Sequence, residues 1–195
     1  MPDGHGRLID IYIDPTMDHA AAPDVCRRGS STLHVPLDRA RNTRKSAGIL
    51  LYRRPAAGPV EVLLAHPGGP VWAKRDEGVW TVPKGEIEEG EEPWDVARRE
   101  FEEETGHPPP DGAAIDLGEI QQKGGKYVVA WAVEGDLDPA NAHSNTFPFQ
   151  WPPKSGRWIT VPEIDRVEWF RPGEARRRIK DTQIPFIDRL EAAVD

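Results

Sequence analysis

One cysteine, Cys26, stands in 195 residues. It has no partner for an internal disulfide, and such a composition fits a reducing cytoplasm. No apolar run approaches the roughly 20 residues of a membrane-spanning helix. The opening stretch, MPDGHGRLIDIYIDPTMDH, holds only a short apolar segment with Asp10 inside it. A signal peptide is therefore not expected. Positive charge is also in short supply. The formal net charge is −8 and the pI about 5.3, with no concentrated basic stripe. Duplex nucleic acid needs its phosphates neutralised by Lys and Arg, so it is not an expected partner. A small phosphorylated ligand needs only a few local cations and stays open. No internal repeat is visible. The six histidines are scattered without metal-ligand spacing, and only His66, at a strand end, draws attention.

A chain of this length predicts one domain with appendages and a sound core. Residues 1–45 lack sustained periodicity and are rich in small, charged and turn residues, which predicts a flexible arm with a short strand at Leu8–Ile13. Arg39, Arg41, Arg44 and Lys45 read as a solvated lead-in. From Ser46 the pattern turns regular. SAGILLYRR and Glu61–His66 predict antiparallel neighbours, and Gly78–Pro83 a third strand. Pro93 opens a helix whose apolar face carries Trp94, Ala97 and Phe101; Gly106 and Pro108–Pro110 end it. Ile115–Gln122 and Tyr127–Glu134 predict two strands joined at Lys-Gly-Gly-Lys. Residues 138–158 predict a long loop without regular structure. Arg157–Phe170 closes the sheet in pieces, and Pro172–Lys180 with Ile184–Val194 forms a terminal helix pair. The expected class is α/β, with a mixed sheet between helices spanning residues 46–195.

The run from Gly85 to Gly106, GEIEEGEEPWDVARREFEEETG, carries ten acidic side chains in 22 residues. Glu100, Glu103 and Glu104 stand at i, i+3 and i+4 of the predicted helix. Three carboxylates then share one face and repel by a few tenths of a kcal/mol per pair (~0.2–0.5). A solvated acidic face is one reading. The other is a divalent-cation site, because hard cations take carboxylates together with substrate phosphates.

The same run resembles the Nudix box. Gly85, Glu91, Arg99, Glu100, Phe101, Glu103, Glu104 and Gly106 fall in register with the family pattern, and His107 departs from its final aliphatic position. A weaker likeness extends over about residues 46–190. The resemblance implies an αβα sandwich and a pyrophosphohydrolase acting on a nucleoside diphosphate linked to another moiety. It implies Mg²⁺ or Mn²⁺ at Glu100, Glu103 and Glu104, with Glu91 and Arg99 bracing the loop against the helix. Some members, including asymmetric diadenosine tetraphosphate hydrolases, carry a catalytic Glu six residues before a strand Trp. Glu163 stands six before Trp169, and Glu168 is the alternative base.

Lys84 and Gly85 enter the box and offer contacts to phosphate, although a loop lysine is as often merely solvated. Lys123 and Lys126 in the hairpin turn offer weaker ones. Phe147, Phe149, Trp151 and Trp158 are stacking faces for a nucleobase or, alternatively, side chains packed on their own sheet. Trp72 and Trp80 read more simply as core. The expected partner is a small phosphorylated nucleotide, with dinucleoside polyphosphates and nucleoside triphosphates favoured. A nucleotide-sensing module that keeps the fold without turnover is the second reading. The full glutamate set speaks against it.

Overall fold

A computed structural model describes residues 44–195; residues 1–43 of the predicted arm, with its Leu8–Ile13 strand and Cys26, lie outside the described residues, and its last residue, Lys45, already belongs to the first strand. β1 (Lys45–Arg53) is the centre of the fold. It pairs antiparallel with β2 (Glu61–Pro67) on one side and parallel with β5 (Tyr127–Glu134) on the other. β4 (Ala114–Gln121) lies outside β5, and β8 (Ile164–Phe170) outside β2, giving the order β4-β5-β1-β2-β8. The short β3 (Lys84–Glu86) pairs with the start of β1, with Ala47 opposite Gly85 and Gly48 opposite Lys84. Gly48 permits this approach: a Cβ there would lie 2.4 Å from Pro83 O.

Alternation along β1 supplies both cores, since successive side chains point to opposite faces. Ala47, Ile49 and Leu51 pack with Val96, Ala97 and Phe101 of α1 (Pro93–Thr105). Leu50 and Tyr52 pack on the other face with Trp80, Phe186, Ile187 and Leu190, the last three from α3 (Ile184–Val194). A short α2 (Pro172–Arg178) precedes α3. The sheet is mixed and sandwiched between helices, as the sequence predicts. α1 begins at Pro93 and ends where Gly106, at φ 74°, turns its N–H back to Glu102 O at 2.7 Å. That left-handed position is open to glycine at little cost.

Two expectations need correction. Gly78–Pro83 is not a ladder strand: its N–H groups go to separate neighbours. Gly78 and Trp80 donate to Arg177 O and Arg178 O, Thr81 to Ala65 O, and Val82 to the buried Gln183 side chain. Residues 138–158 are not structureless either. They hold a 3-10 turn at Pro139–Asn141 and β6 (Thr146–Gln150), which forms a hairpin with β7 (Trp158–Pro162). Both strands are rich in β-formers, and Pro148 is tolerated at an exposed edge position. Of the pieces in Arg157–Phe170, only β8 joins the main sheet.

Candidate active site

The box residues meet where α1 crosses β3. Gly85 lies directly beneath Glu100: a Cβ at Gly85 would stand 1.8 Å from the Glu100 carboxyl carbon. Glycine is therefore required for Glu100 to lie where it does. Glu100 and Glu104 are both buried at the edge of the apolar stripe of α1, and Glu103 is half-buried. Glu104 Oε2 accepts the Lys84 backbone N–H at 3.0 Å. The helix and the box-entry strand are thus tied through a carboxylate.

Arg99 organises the rest. Its Nη1 donates to Glu100 Oε1 at 2.5 Å and lies 3.5 Å from Glu103 Oε1, while Nη2 lies 3.3 Å from Glu91 Oε1. The other Glu91 oxygen accepts the Glu88 N–H at 2.8 Å. Glu91 and Arg99 therefore join the loop to the helix. Among the described residues, no three acidic, His or Cys side chains are gathered into a metal-holding group. The guanidinium supplies the positive charge between Glu100 and Glu103.

Electrostatics single out Glu104. Burial pushes its carboxyl up to about 8; the Lys84 ammonium and N–H act against this, and the charges of Glu100 and Glu163 add to it. Glu163, between β7 and β8, is therefore near enough to Glu104 for its charge to act there. Its backbone is fixed there: Glu163 N–H donates to Asn145 O, and Asn145 N–H donates to Glu103 O on α1. Glu168 lies elsewhere, exposed on β8 and 3.1 Å from the Arg166 guanidinium. Trp169 donates its indole N–H to Leu137 O and stacks under Arg53.

The β6–β7 hairpin springs from this Asn145–Glu163 point. Phe147, Phe149 and Trp151 follow one another along it, with ring centroids 6.1 and 6.2 Å apart, and belong to neither core cluster. Trp158 is 66% exposed. Trp80 is fully buried and Trp72 packs against the same core. His66 is structural. It is buried between Asp165, 2.7 Å from Nδ1, and Arg75 O, 2.8 Å from Nε2. His107 lies 6.4 Å from the His143 ring, which covers Gly106. Lys123 is tied to Asp181 at 3.0 Å. Sequence reasoning missed Asn145, which links α1 to Glu163, and Lys180, which lies near Lys84 and Glu104.

The described residues contain no helix long and apolar enough to cross a membrane. The chain matches the NUDIX domain family model over residues 42–190. It is 40% identical over 61 residues to an asymmetrical bis(5'-nucleosyl)-tetraphosphatase of Caenorhabditis elegans. The match covers 31% of this chain and 39% of that protein's length. Among solved structures, a C. elegans Ap4A hydrolase binary complex superposes with a TM-score of 0.53 at 21% identity, over 76% of this chain and 97% of that one. The NUDIX domain of Shewanella oneidensis NrtR, complexed with ADP ribose, does so with a TM-score of 0.54 at 15% identity, over 78% and 89%. Those two likenesses concern the fold; the family match spans most of the chain and includes every box residue described above. The chain belongs to the NUDIX domain family.

Proposed function

We propose that this protein is a divalent-metal-dependent pyrophosphohydrolase that cleaves a phosphoanhydride bond in a nucleoside diphosphate linked to another moiety. The observation that carries this reading is geometric: Glu100 and Glu104 lie buried on α1 beside half-buried Glu103, with Glu104 accepting the Lys84 N–H at the entry to the box. The donor set offers hard carboxylate oxygens, which fit Mg²⁺ or Mn²⁺ once Arg99 yields its place between Glu100 and Glu103. Nudix hydrolases in general use divalent metals. Glu100, Glu103 and Glu104 would hold the ion. When bound, it would supply charge neutralisation for the phosphates and a more acidic water.

The chain's own residues have separable tasks. Arg99 and Glu91 orient the glutamates, as outer hydrogen-bond partners do for ligands generally. Gly85 keeps the floor beneath Glu100 clear. Lys84 offers a point charge to a phosphate oxygen. Glu163, fixed through Asn145 to the same helix, takes the proton from the attacking water.

Substrate choice falls to the hairpin. Trp151 lies six residues along the strand from Asn145, on the order of 20 Å at ~3.3 Å per residue. A ligand held at the glutamates and stacked on Trp151 must be extended, which favours a dinucleoside polyphosphate. One stacked on Phe147 can be a nucleoside triphosphate. The likeness to the tetraphosphatase favours the extended ligand. The test is hydrolysis of a panel of dinucleoside polyphosphates, nucleoside triphosphates and ADP-ribose with Mg²⁺ or Mn²⁺, products separated by chromatography. Turnover of the dinucleoside compounds, lost in Glu103→Gln and Glu104→Gln, is the expected result.

A further inference from the structure

Glu163 stands at a break in the β2–β8 ladder. Arg166 pairs with His66, but the next pair is Ile164 with Pro67, so the register shifts between His66 and Pro67. Pro67 has no N–H and cannot donate to Ile164. The N–H of Gly68 goes instead to Glu163 O at 2.8 Å. Gly68 permits this approach, since a Cβ there would lie 2.0 Å from Pro162 O. Ladder irregularities of this kind re-aim a side chain beside a site.

A side chain takes the place of the missing ladder donor. Ser144 Oγ accepts the Ile164 N–H at 3.0 Å and lies 2.9 Å from Ile164 O. One hydroxyl therefore meets both backbone groups of the residue after Glu163. It has one proton to give and two lone pairs to receive, which suits it to both duties. Asn145 O, 3.0 Å away, is the other acceptor within its reach. That same Asn145 O receives the Glu163 N–H at 2.9 Å.

Ser144 is itself held by α1. The last carbonyls of a helix lack partners within it. Here Thr105 O takes the His143 N–H at 3.1 Å and Glu103 O takes the Asn145 N–H at 3.2 Å, one on each side of Ser144. Glu163 is thus fixed at its N–H, at its C=O and at the following residue. Gly68 holds one of these points, and the Ser144–Asn145 segment, tied to the helix of the glutamates, holds the others. A hydroxyl that merely completed the end of β8 would affect stability alone. One that aims Glu163 would affect turnover through Glu163.

We propose that Ser144 is a positioning residue, which through Ile164 sets the direction from which Glu163 takes the proton of the attacking water. Gly68 is its counterpart on the β2 side. The proposal rests on the reading of Glu163 as the base. Misplacing a reacting group by about 1 Å costs on the order of 10²-fold in rate, and losing a base ~10²–10⁴-fold, so loss of the hydroxyl should cost about 10- to 100-fold.

The test is steady-state hydrolysis of a dinucleoside tetraphosphate at saturating Mg²⁺, by wild type and by Glu163→Gln, each with and without Ser144→Ala. In the wild-type background Ser144→Ala should lower kcat by that factor and leave KM unchanged. Mn²⁺ affinity, read by paramagnetic relaxation, should stay at the wild-type value. Ser144→Thr, which keeps a hydroxyl, should recover most of the rate. In the Glu163→Gln background Ser144→Ala should cost little more, because residues acting as one unit are not additive. Unchanged kcat in Ser144→Ala, or the same fractional loss in both backgrounds, would overturn the proposal. If Ser144→Ala fails to fold, Gly68→Ala carries the same test: loss confined to the background with Glu163 supports the clamp, and equal losses overturn it. Wild-type turnover in Glu163→Gln would remove the base, and the role of Ser144 with it, while the hydrolase reading stands. Absence of hydrolysis by wild type across the nucleotide panel would remove both.

Discussion

Replacing Glu104 by glutamine removes a buried charge but keeps the oxygen that accepts Lys84 N–H. The folded carboxyl titrates at about 8, above the ordinary 4.5, chiefly because it is buried. Between those two values the unfolded chain releases its proton while the folded one retains it. Stability of the metal-free protein therefore falls as pH rises from about 4.5 to about 8, and the whole penalty is present above that. The ceiling is ~5 kcal/mol at ~1.36 kcal/mol for each pH unit. Relaxation and water entry reduce such penalties, so ~1–3 kcal/mol is the expected size. Urea unfolding in EDTA, followed by tryptophan fluorescence at pH 5 and pH 8.5, measures it. Glu104→Gln should gain that amount at pH 8.5, little at pH 5, and lose turnover by orders of magnitude because an amide binds hard cations poorly. If the variant is no more stable than wild type at pH 8.5, the electrostatic argument for this site is wrong.

Three further outcomes follow from the geometry. Glu163→Gln should lower kcat by ~10²–10⁴-fold, as loss of a positioned base does, whereas Glu168→Gln, paired with Arg166 away from the glutamates, should leave kcat near wild type in steady-state assays. Phe147→Ala should raise KM for mononucleotides, and Trp151→Ala for dinucleoside polyphosphates only, each by a stacking energy of ~1–3 kcal/mol; equal KM with a lower melting temperature would return these rings to a packing role. Gly85→Ala should cost ~1–3 kcal/mol of overpacking and weaken Mn²⁺ binding measured by paramagnetic relaxation, because the new methyl occupies the place of the Glu100 carboxyl; unchanged Mn²⁺ affinity would detach Gly85 from the glutamates.

Local signals carried the sequence reading well. Gly106 ends α1 because a left-handed residue is needed there, and the apolar run of SAGILLYRR marks the strand β1, which is buried on both faces. The box register placed Glu100, Glu103 and Glu104 on one helix, where Arg99 reaches Glu100 and Glu103. Distant pairings left weaker traces. Thr146–Gln150 has no turn signal that names Trp158–Pro162 as its partner, so the hairpin read as loop. Gly78–Pro83 looked like a strand because Val79, Trp80 and Val82 are apolar, yet its hydrogen bonds are shared among β2, α2 and Gln183. Lys180 sits in a basic stretch, RRRIK, that marks no one residue; only the docking of residues 179–183 on Trp80–Val82 brings it beside Lys84. Asn145 was invisible for the same reason: its role comes from backbone bonds to Glu103 and Glu163, which no side-chain pattern encodes.

The central claim is that the glutamates of α1 hold a divalent ion for phosphoanhydride cleavage. The most direct measurement is the rate of hydrolysis of a dinucleoside polyphosphate by wild type and Glu104→Gln, with Mg²⁺, with Mn²⁺ and in EDTA. The account predicts turnover by wild type with metal, none in EDTA, and a loss of orders of magnitude in the variant despite its higher stability. Undiminished turnover in EDTA, or in Glu104→Gln at saturating metal, would contradict it.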